Sequence, residues 1–368
     1  MESPGLFLTI FAFLLLLGPL IVLHELGHYF AGRLFKVRAD VFSIGMGKEL
    51  WHRIDKRGTR WRLAAFPIGG YVLFAGDSDA SSKPNPELQN ATPEQLQGTL
   101  TGAPLWQRAL IVFAGPLANL LVAVGIIAAF AMAYGVPSNP PVIGGFSQGS
   151  VAEAAGFRVG DRITAVDGAA TEGFKDIADR VMLLPGETVR ISAERDGKSF
   201  TLPVKLATDV QKDRFGNVLR RGFLGVAAGR DREFTRVGPI AAVGFGFVES
   251  FEIVRKMVLG LKQIIVGDRS VKEMGGPIKI AQFSGQSLAM GWQAFVGFAA
   301  MISINLAFIN LLPIPTLDGG HLAMYAAEAV RRKPLDVRSQ EWAFRTGLAL
   351  VLALVVFVTF NDLVSLFS

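Results

Sequence analysis

The sequence predicts a polytopic α-helical membrane protein with four transmembrane helices, a membrane-associated β-region and a small inserted α+β domain. Of the 368 residues, 51% are apolar and only 18% are charged. The mean hydropathy is +0.39, which is typical of an integral membrane protein that carries some soluble material. Four stretches are long and apolar enough to cross about 30 Å of hydrocarbon. Between them lie runs with the alternating pattern of β-strands.

The four predicted spans are Gly5 to Phe30, Leu110 to Tyr134, Trp292 to Leu312 and Gly347 to Leu366. The first lacks the basic n-region and small-residue cleavage site of a signal peptide, so we expect a retained helix. The main alternative is a fifth span between residues 233 and 291. That segment mixes apolar and charged residues, which favours an amphipathic helix on the membrane surface. A fifth span would reverse the topology of everything downstream.

Lysine and arginine side chains predict the orientation, because short loops rich in them stay in the cytoplasm. We therefore expect both termini, and the segment after Tyr134, outside the cytoplasm. The net charge of +6 follows from this bias and does not indicate nucleic-acid binding. The absence of cysteine excludes disulfides and thiolate ligands. The basic residues cluster after the first span (Arg33, Lys36, Arg38, Lys48, Arg53, Lys56, Arg57, Arg60, Arg62) and before the last (Arg331, Arg332, Lys333, Arg338).

The segments between the spans have distinct compositions. Val41 to Phe74 alternates apolar and polar residues between glycine-rich turns, which predicts hairpin strands, and the Ser, Pro, Asn and Gln content of Gly76 to Gly98 predicts a flexible loop. The predicted organisation is a first transmembrane helix (1–35), a cytoplasmic membrane-associated β-region and loop (36–105), a second transmembrane helix (106–136), a soluble domain (137–230), an amphipathic surface segment (231–291), a third transmembrane helix with its following motif (292–325), and a cytoplasmic loop with the fourth transmembrane helix (326–368).

The second span contains "AGPLANLLVA", in which Gly115, Pro116 and Asn119 interrupt a hydrophobic helix. Small residues permit close approach of helices in a membrane, and a buried amide needs a partner there. We therefore expect Asn119 to form a hydrogen bond with a neighbouring span.

The first span contains "HELGH", which places His24 and His28 on one face of a helix, at positions i and i+4. Both imidazoles can then reach one zinc ion, with Glu25 beside the metal-bound water. Zinc lowers the pKa of such a water to about 7, and the glutamate takes its proton as hydroxide attacks a carbonyl. The alternative is a helix-packing pair of histidines. Three polar groups in a span are costly to keep without a role, which favours the metal site.

A catalytic zinc site needs a third protein ligand. The other histidines are His52, in the basic loop, and His321, close to "INLAFINLLPIPTLDGGHL". In that motif Asn310, Pro313 and Pro315 end the third span and free its backbone, an arrangement tolerated where the chain lines a cavity. Asp318 follows, where the preceding kink can direct its carboxylate at the first helix. The alternatives are a plain helix cap for Asp318 and an interfacial position for His321.

The soluble segment contains "SVAEAAGFRVGDRITAVDG", which resembles PDZ domains of the bacterial protease-associated type. Such domains bind peptide carboxylates with a short glycine-containing loop beside a sheet edge. The matching run here is Gly222, Phe223, Leu224 and Gly225, followed by Val226, at the C-terminal end of the domain, as in a circularly permuted version. An ordinary strand that binds no peptide is an equal alternative, since a fold need not keep its site.

Taken together, HELGH in a first span, a permuted PDZ insertion and "NLLPIPTLDGG" resemble the site-2 protease family of intramembrane zinc metalloproteases, and most closely its RseP-type bacterial branch. The resemblance covers nearly the whole chain, including "FSIGMGKELW", "FPIGGYV" and "AGPLANLLVA". One departure is a single PDZ-like domain, where the best-known members carry two.

The resemblance implies specific roles and partners. It implies Zn²⁺ bound by His24, His28 and Asp318, with Glu25 as the base and His321 not a ligand. It implies a bacterial inner-membrane enzyme that cuts single-span substrates, such as anti-sigma factors and remnant signal peptides, after an upstream site-1 protease has trimmed them. We expect the β-region to pair with an unwound substrate by strand addition. The substrate-binding residues are then Asn310, Pro313, Pro315, Gly69, Gly70 and Tyr71.

Two rival functions remain at this stage. One is a membrane metalloprotease of another type, whose HExxH is completed by a downstream glutamate, with Glu328 and Glu341 as candidates, and which cuts exposed loops. The other is a non-catalytic scaffold that holds zinc, which should tolerate Glu25→Gln. The sequence contains no GxxxxGK[ST] motif, which opposes an ATP-driven protease, and no evident GxSxG serine elbow.

Overall fold

The computed structural model describes residues 5–79, 91–212, 218–229, 233–266, 275–333 and 335–367. Residues 80–90, about half of the predicted flexible loop, lie outside the described part. The chain forms two compact units, one from residues 1–129 and 243–368 and the other from residues 130–242.

The helices and strands follow the predicted division into membrane, β-rich and soluble parts. The helices are α1 (Leu6–Leu34), α2 (Pro93–Leu96), α3 (Leu105–Tyr134), α4 (Val151–Ala154), α5 (Phe174–Met182), α6 (Pro239–Val266), α7 (Pro277–Ala289), α8 (Trp292–Asn310), α9 (Asp318–Arg331) and α10 (Val337–Phe367). The strands are β1 (Ala39–Ile54), β2 (Arg60–Phe74), β3 (Val136–Ser138), β4 (Ile143–Phe146), β5 (Arg162–Val166), β6 (Ala169–Ala170), β7 (Thr188–Arg195), β8 (Lys198–Lys205), β9 (Ala207–Lys212), β10 (Val218–Phe223), β11 (Val226–Ala228) and β12 (Glu233–Thr235).

Four helices of the described chain are long and apolar enough to cross a membrane, which confirms the predicted number. They are Leu6–Leu34, Leu105–Tyr134, Trp292–Asn310 and Arg338–Val364. Helix α6 has comparable length but does not belong to this group. Its sequence includes Glu249, Glu252, Arg255, Lys256 and Lys262, and charged side chains are costly in hydrocarbon.

The membrane helices pack through buried aliphatic side chains. Leu16 and Leu20 of α1 form one core with Phe295 and Ile302 of α8, and Ile280 and Leu288 of α7 pack against it. A second core joins α3, α8 and α6 around Ala123, Ala300 and Ile304. Burial of such side chains holds α1 beside α7 and α8.

The β-region is a pair of long bulged strands, β1 and β2, that fold back on themselves. The segment around Phe42 pairs on one side with the part of β2 around Trp61 and on the other side with the part around Val72. Gly45, Gly47 and Gly69 have φ of +87°, +89° and +95°, a left-handed backbone that favours glycine and lets the strands bend. As a result, residues 70–73 form an edge segment whose second side pairs with no other described strand.

The second unit contains an α+β domain, as predicted for the inserted segment. A four-stranded antiparallel sheet has the order β6-β5-β7-β8, and α5 covers its apolar face. The core includes Ile163, Ile177 and Ile191, each nearly inaccessible to solvent. Arg195 donates two hydrogen bonds to the buried Asp161 carboxylate, at 2.7 and 2.8 Å, and this pairing lowers the Asp161 pKa.

Candidate active site

The two histidines of HELGH and the aspartate of LDGG meet in the membrane unit. His24 and His28, each 8% exposed, lie one turn apart on α1. Their Nε2 atoms are 3.2 Å apart. The Oδ2 atom of Asp318 lies 3.1 Å from Nε2 of His24 and 3.5 Å from Nε2 of His28. Three potential ligand atoms from two distant parts of the sequence therefore converge on one point.

The end of α8 brings Asp318 to this point. The helix ends at Asn310, and a compact turn of residues 311–317 leads into α9, whose first residue is Asp318. Gly319 and Gly320 allow this turn, because a Cβ atom there would lie 2.3 and 2.2 Å from the carbonyl oxygens of Leu311 and Ile314. The carboxylate at the start of α9 also lies at the favourable end of the helix dipole.

The chemistry of this cluster fits a metal cation. Oδ2 of Asp318 is buried and accepts no hydrogen bond from any described residue, although two ring nitrogens lie within 3.5 Å. Tetrahedral zinc with bonds of about 2.0–2.1 Å places its ligand atoms about 3.3–3.4 Å apart. The three observed separations of 3.1, 3.2 and 3.5 Å bracket that value. The residues present therefore fit a divalent cation such as zinc.

Helix α3 supports both imidazoles from behind. The Nδ1 atom of His28 lies 2.9 Å from the carbonyl oxygen of Ile111. The side-chain amide of Asn119 lies against His24, with Nδ2 3.3 Å from Nδ1. Gly115 makes this approach possible, because a Cβ atom at that position would lie 2.2 Å from Nε2 of His28. The sequence predicted that Asn119 contacts a neighbouring span, whereas the Ile111 carbonyl has no side-chain signal and was missed.

Glu25 and the open edge of the β-region share a cavity of about 180 Å³ with these ligands, which is room for several water molecules. The Glu25 carboxylate interacts with the backbone of Val72 in the edge segment. A Cβ atom at Gly70 would lie 3.4 Å from Cγ of Glu25. The residues that line the cavity include His24, Glu25, His28, Gly70, Tyr71, Val72, Asn310, Thr316, Asp318 and His321.

The remaining predicted substrate residues lie outside the lining of this cavity. Gly69 is at the bend before the edge segment, next to the side chain of Met46. Pro313 is exposed in the turn after α8, and Pro315 packs against Gly347 of α10. Asn310, Gly70 and Tyr71 are therefore the predicted substrate residues that the fold places beside Glu25.

The other polar residues considered from the sequence have separate positions. His321 lines the cavity but does not belong to the His24, His28 and Asp318 cluster. Glu328 contacts Arg108 at 3.2 Å, and Glu341 contacts Arg345 at 2.6 Å. Burial raises the pKa of Tyr325, a residue near Glu328 and Arg108. Neither glutamate completes the HExxH cluster.

The predicted carboxylate loop lies in the second unit. Gly222 and Phe223 end β10, and Leu224 and Gly225 follow before β11. A groove of about 220 Å³ runs between this segment and α5 and is lined by apolar side chains such as Ile177 and Phe223. Leu224 is buried in the domain core. Peptide binding by this groove stays a prediction.

Four apolar helices and a cavity with a His-His-Asp cluster beside a glutamate define the class of protein, a membrane-embedded peptidase with a metal-binding centre. Residues 12–354 match the sequence model of peptidase family M50. The chain therefore belongs to family M50, the site-2 protease family predicted from its motifs. This membership favours the site-2 protease interpretation over the two rival functions.

Its relatives match along nearly their full length. A protein of Agrobacterium fabrum that is named as a zinc metalloprotease is 40% identical over 372 residues, covering 100% of this chain and 98% of the relative. One of Rhizobium meliloti with the same kind of name is 41% identical, covering 98% and 97%. Metalloprotease MmpA of Caulobacter vibrioides is 33% identical, covering 98% and 96%.

Among solved structures, the chain is similar to the PDZ domain of an SdrC-like protein from Listeria monocytogenes. The identity is 23%, and the match covers 24% of this chain and 87% of that one, with a TM-score of 0.20. A TM-score this low supports no fold assignment, so the PDZ-like character of the domain depends on its sequence motif.

Proposed function

We propose that this protein is a zinc metalloendopeptidase that performs regulated intramembrane proteolysis. It cuts within the transmembrane segments of single-span membrane proteins that a first protease has already trimmed. Anti-sigma factors and remnant signal peptides are the substrate classes that the family resemblance suggests. The observation that carries the proposal is the convergence of His24, His28 and Asp318 beside Glu25 and an unpaired strand edge in one cavity.

The zinc ligands in this proposal are Nε2 of His24, Nε2 of His28 and Oδ2 of Asp318. When bound, zinc polarises the scissile carbonyl and makes a water molecule more acidic. Glu25 accepts the proton of the attacking water and later donates it to the leaving amine. The carboxylate is close to the cluster for this role because Glu25 lines the same cavity as His24, His28 and Asp318.

The edge segment at residues 70–73 gives the substrate a place to bind. A transmembrane helix hides its carbonyl groups in hydrogen bonds to the residue four positions later, so it must unwind before it can be cut. An unwound strand recovers those hydrogen bonds by pairing with a free sheet edge. Gly70 and Tyr71 offer such an edge, and the Asn310 side chain supplies a further hydrogen-bonding group across the cavity.

We also propose an orientation in the bacterial inner membrane. Both termini and the domain at residues 137–230 lie in the periplasm, and the active site lies near the cytoplasmic face. The basic residues after α1 and before α10 support this orientation. The inserted domain then meets the trimmed end of a substrate before the membrane helix does, and acts as a size gate or a reader of the tail.

The test is cleavage of a single-span substrate with an anti-sigma-type transmembrane helix by the purified protein in detergent. Wild type is compared with Glu25→Gln, and zinc content is measured for both. We expect Glu25→Gln to keep its zinc and to lose about 100-fold or more in rate, because the general base is gone. Glu341→Gln is the control, since Glu341 is exposed and pairs with Arg345, and it should behave as wild type.

Each other outcome contradicts a specific part of the proposal. A Glu25→Gln variant that cuts at the wild-type rate rules out Glu25 as the base. Wild-type protein that binds zinc but cuts no membrane substrate supports a zinc scaffold. Wild-type protein that binds no zinc would show that His24, His28 and Asp318 do not form a zinc site.

A further inference from the structure

The second nitrogen of each metal-binding imidazole faces α3. Each ring has two nitrogens, and the Nε2 atoms of His24 and His28 point toward Asp318. Nδ1 of His24 points the other way, to the side-chain amide of Asn119, and Nδ1 of His28 points to the carbonyl oxygen of Ile111. A neutral imidazole carries its proton on one nitrogen only, so the partner of Nδ1 decides whether Nε2 has a lone pair for a metal.

For His28 the hydrogen-bond partner of Nδ1 determines which ring nitrogen carries the proton. A carbonyl oxygen can only accept a hydrogen bond, so Nδ1 of His28 carries the proton and donates it to Ile111. Nε2 of His28 then has its lone pair directed at the cluster. This is the arrangement that a metal ligand requires.

For His24 the partner is an amide that can either donate or accept. The amide nitrogen of Asn119 lies 3.3 Å from Nδ1, in a side chain with no solvent exposure. Its oxygen, Oδ1, is buried and has no hydrogen-bond partner among the described residues. A half-turn of the terminal amide exchanges these two atoms and places the unpartnered oxygen against His24.

We propose that Asn119 is a positioning residue whose Oδ1 atom accepts a hydrogen bond from Nδ1–H of His24. This bond holds the proton on Nδ1 and directs the lone pair of Nε2 at the cluster. Ile111 and Asn119 then perform the same task for the two histidines, one turn apart along α1. The inference depends on the proposed function, because it assumes that the cluster binds zinc.

The opposite arrangement has a different consequence for the site. If the Asn119 amide donated to Nδ1, the proton of His24 would lie on Nε2. That N–H would point at Oδ2 of Asp318, 3.1 Å away, and His24 would not be a ligand. The role of the amide as acceptor or donor is therefore the point to test.

The test compares Asn119→Asp with Asn119→Leu in the full-length protein in detergent. A carboxylate can only accept, whereas leucine has a similar size and no hydrogen-bonding group. Zinc affinity is measured by competition with a chelator, beside cleavage of the single-span substrate. We expect Asn119→Leu to bind zinc about 10–100-fold more weakly, and Asn119→Asp to stay within a few-fold of wild type. Ser303→Ala is the control, since the Ser303 hydroxyl donates a hydrogen bond to the backbone carbonyl of Asn119 and leaves its side-chain amide untouched.

A second measurement starts from the wild-type protein, where it does not depend on whether the variants fold. The chain has four histidines, so the imidazole signals of protein labelled with ¹⁵N-histidine are few. In zinc-loaded wild type we expect two protected Nδ1–H signals, from His24 and His28. The His24 signal should be absent or exchange rapidly in Asn119→Leu, whereas the His28 signal should persist.

Four outcomes would overturn the inference. If folded Asn119→Asp loses as much zinc affinity as Asn119→Leu, the amide acts as a donor. Unchanged zinc affinity in Asn119→Leu would show that the contact does not position His24. A single Nδ1–H signal in wild type would lead to the same conclusion, because His24 would then carry no proton on Nδ1. If wild type itself binds no zinc, the metal site of the proposed function fails, and this inference fails with it.

Discussion

At the scale of single residues, the metal cluster depends on small and polar side chains of α3 more than on its apolar ones. Gly27 of α1 lies against the backbone of Ala114, where a Cβ atom would be 2.3 Å from the carbonyl oxygen. Gly115 faces His28, and Asn119 faces His24. The two helices can therefore approach closely enough for backbone and amide groups of α3 to contact the imidazoles directly.

A methyl group at position 115 should disrupt this contact. In Gly115→Ala the new Cβ atom would lie 2.2 Å from Nε2 of His28, so the ring must move. We expect zinc affinity to fall about tenfold or more, as for loss of other groups that orient metal ligands, with a parallel fall in cleavage rate. Chelator competition and cleavage assays measure the two effects.

Gly125→Ala is the matched control for this prediction. Gly125 lies on the same helix, and a Cβ atom there meets no other atom within 4 Å. It should bind zinc as wild type does. If Gly115→Ala bound zinc with wild-type affinity, α1 and α3 could move apart without weakening zinc binding, and the prediction would be wrong.

At the scale of secondary-structure elements, the turn of the β-region contacts α1 directly. Asp55, in the turn between β1 and β2, accepts hydrogen bonds from Tyr29 and Trp61, each at 3.3 Å, and lies 3.9 Å from Arg33. Tyr29 directly follows His28 on α1. The rings of Tyr29, Phe42 and Trp61 pack together, with Phe42 and Trp61 stacked at 4.4 Å. Phe42 in turn pairs with Val72 of the edge segment.

Loss of Asp55 should therefore loosen the edge segment and leave the metal cluster intact. We expect Asp55→Ala to keep its zinc and to lower kcat/KM for a membrane substrate about tenfold, because three contacts between the turn and its surroundings disappear. Steady-state cleavage and zinc content measure this. Glu49→Gln, in β1, where Glu49 forms an exposed pair with Arg60, is the control and should change little. Loss of zinc from Asp55→Ala would instead show that the turn supports α1.

At the scale of the whole molecule, the four spans and the distribution of basic residues define an orientation that can be measured. The chain contains no cysteine, so a single introduced thiol reports its own location without background. Lys56, in the turn of the β-region, and Lys198, the first residue of β8, are both exposed. The proposed orientation places the first in the cytoplasm and the second in the periplasm.

We expect a membrane-impermeant maleimide to label Lys198→Cys in intact spheroplasts and to leave Lys56→Cys unlabelled. Both should react after the membrane is permeabilised, which controls for accessibility of each thiol. Labelling of Lys56→Cys alone would show that the topology is the reverse of the proposed one. Labelling of both in intact spheroplasts would show that the chain crosses the membrane an even number of times between the two sites, with the β-region outside the cytoplasm.

The sequence alone determined the features that depend on local pattern. The i, i+4 spacing of HELGH places two imidazoles on one helical face wherever the helix lies, and apolar runs of sufficient length predict spans without knowledge of their neighbours. The prolines and glycines of "NLLPIPTLDGG" likewise predict a broken helix end. These properties are carried by a few adjacent residues, so they survive any tertiary arrangement.

Only the tertiary structure decided which distant groups meet. Asp318 joins His24 and His28 because the turn after α8 packs on the start of α9, and sequence spacing alone left His321 open. The Ile111 carbonyl supports His28 because α3 lies against α1, and every residue has such a carbonyl. The free edge at residues 70–73 exists because β1 and β2 fold back on each other. Such contacts depend on close packing between remote segments, for which the periodicity of the chain carries no signal.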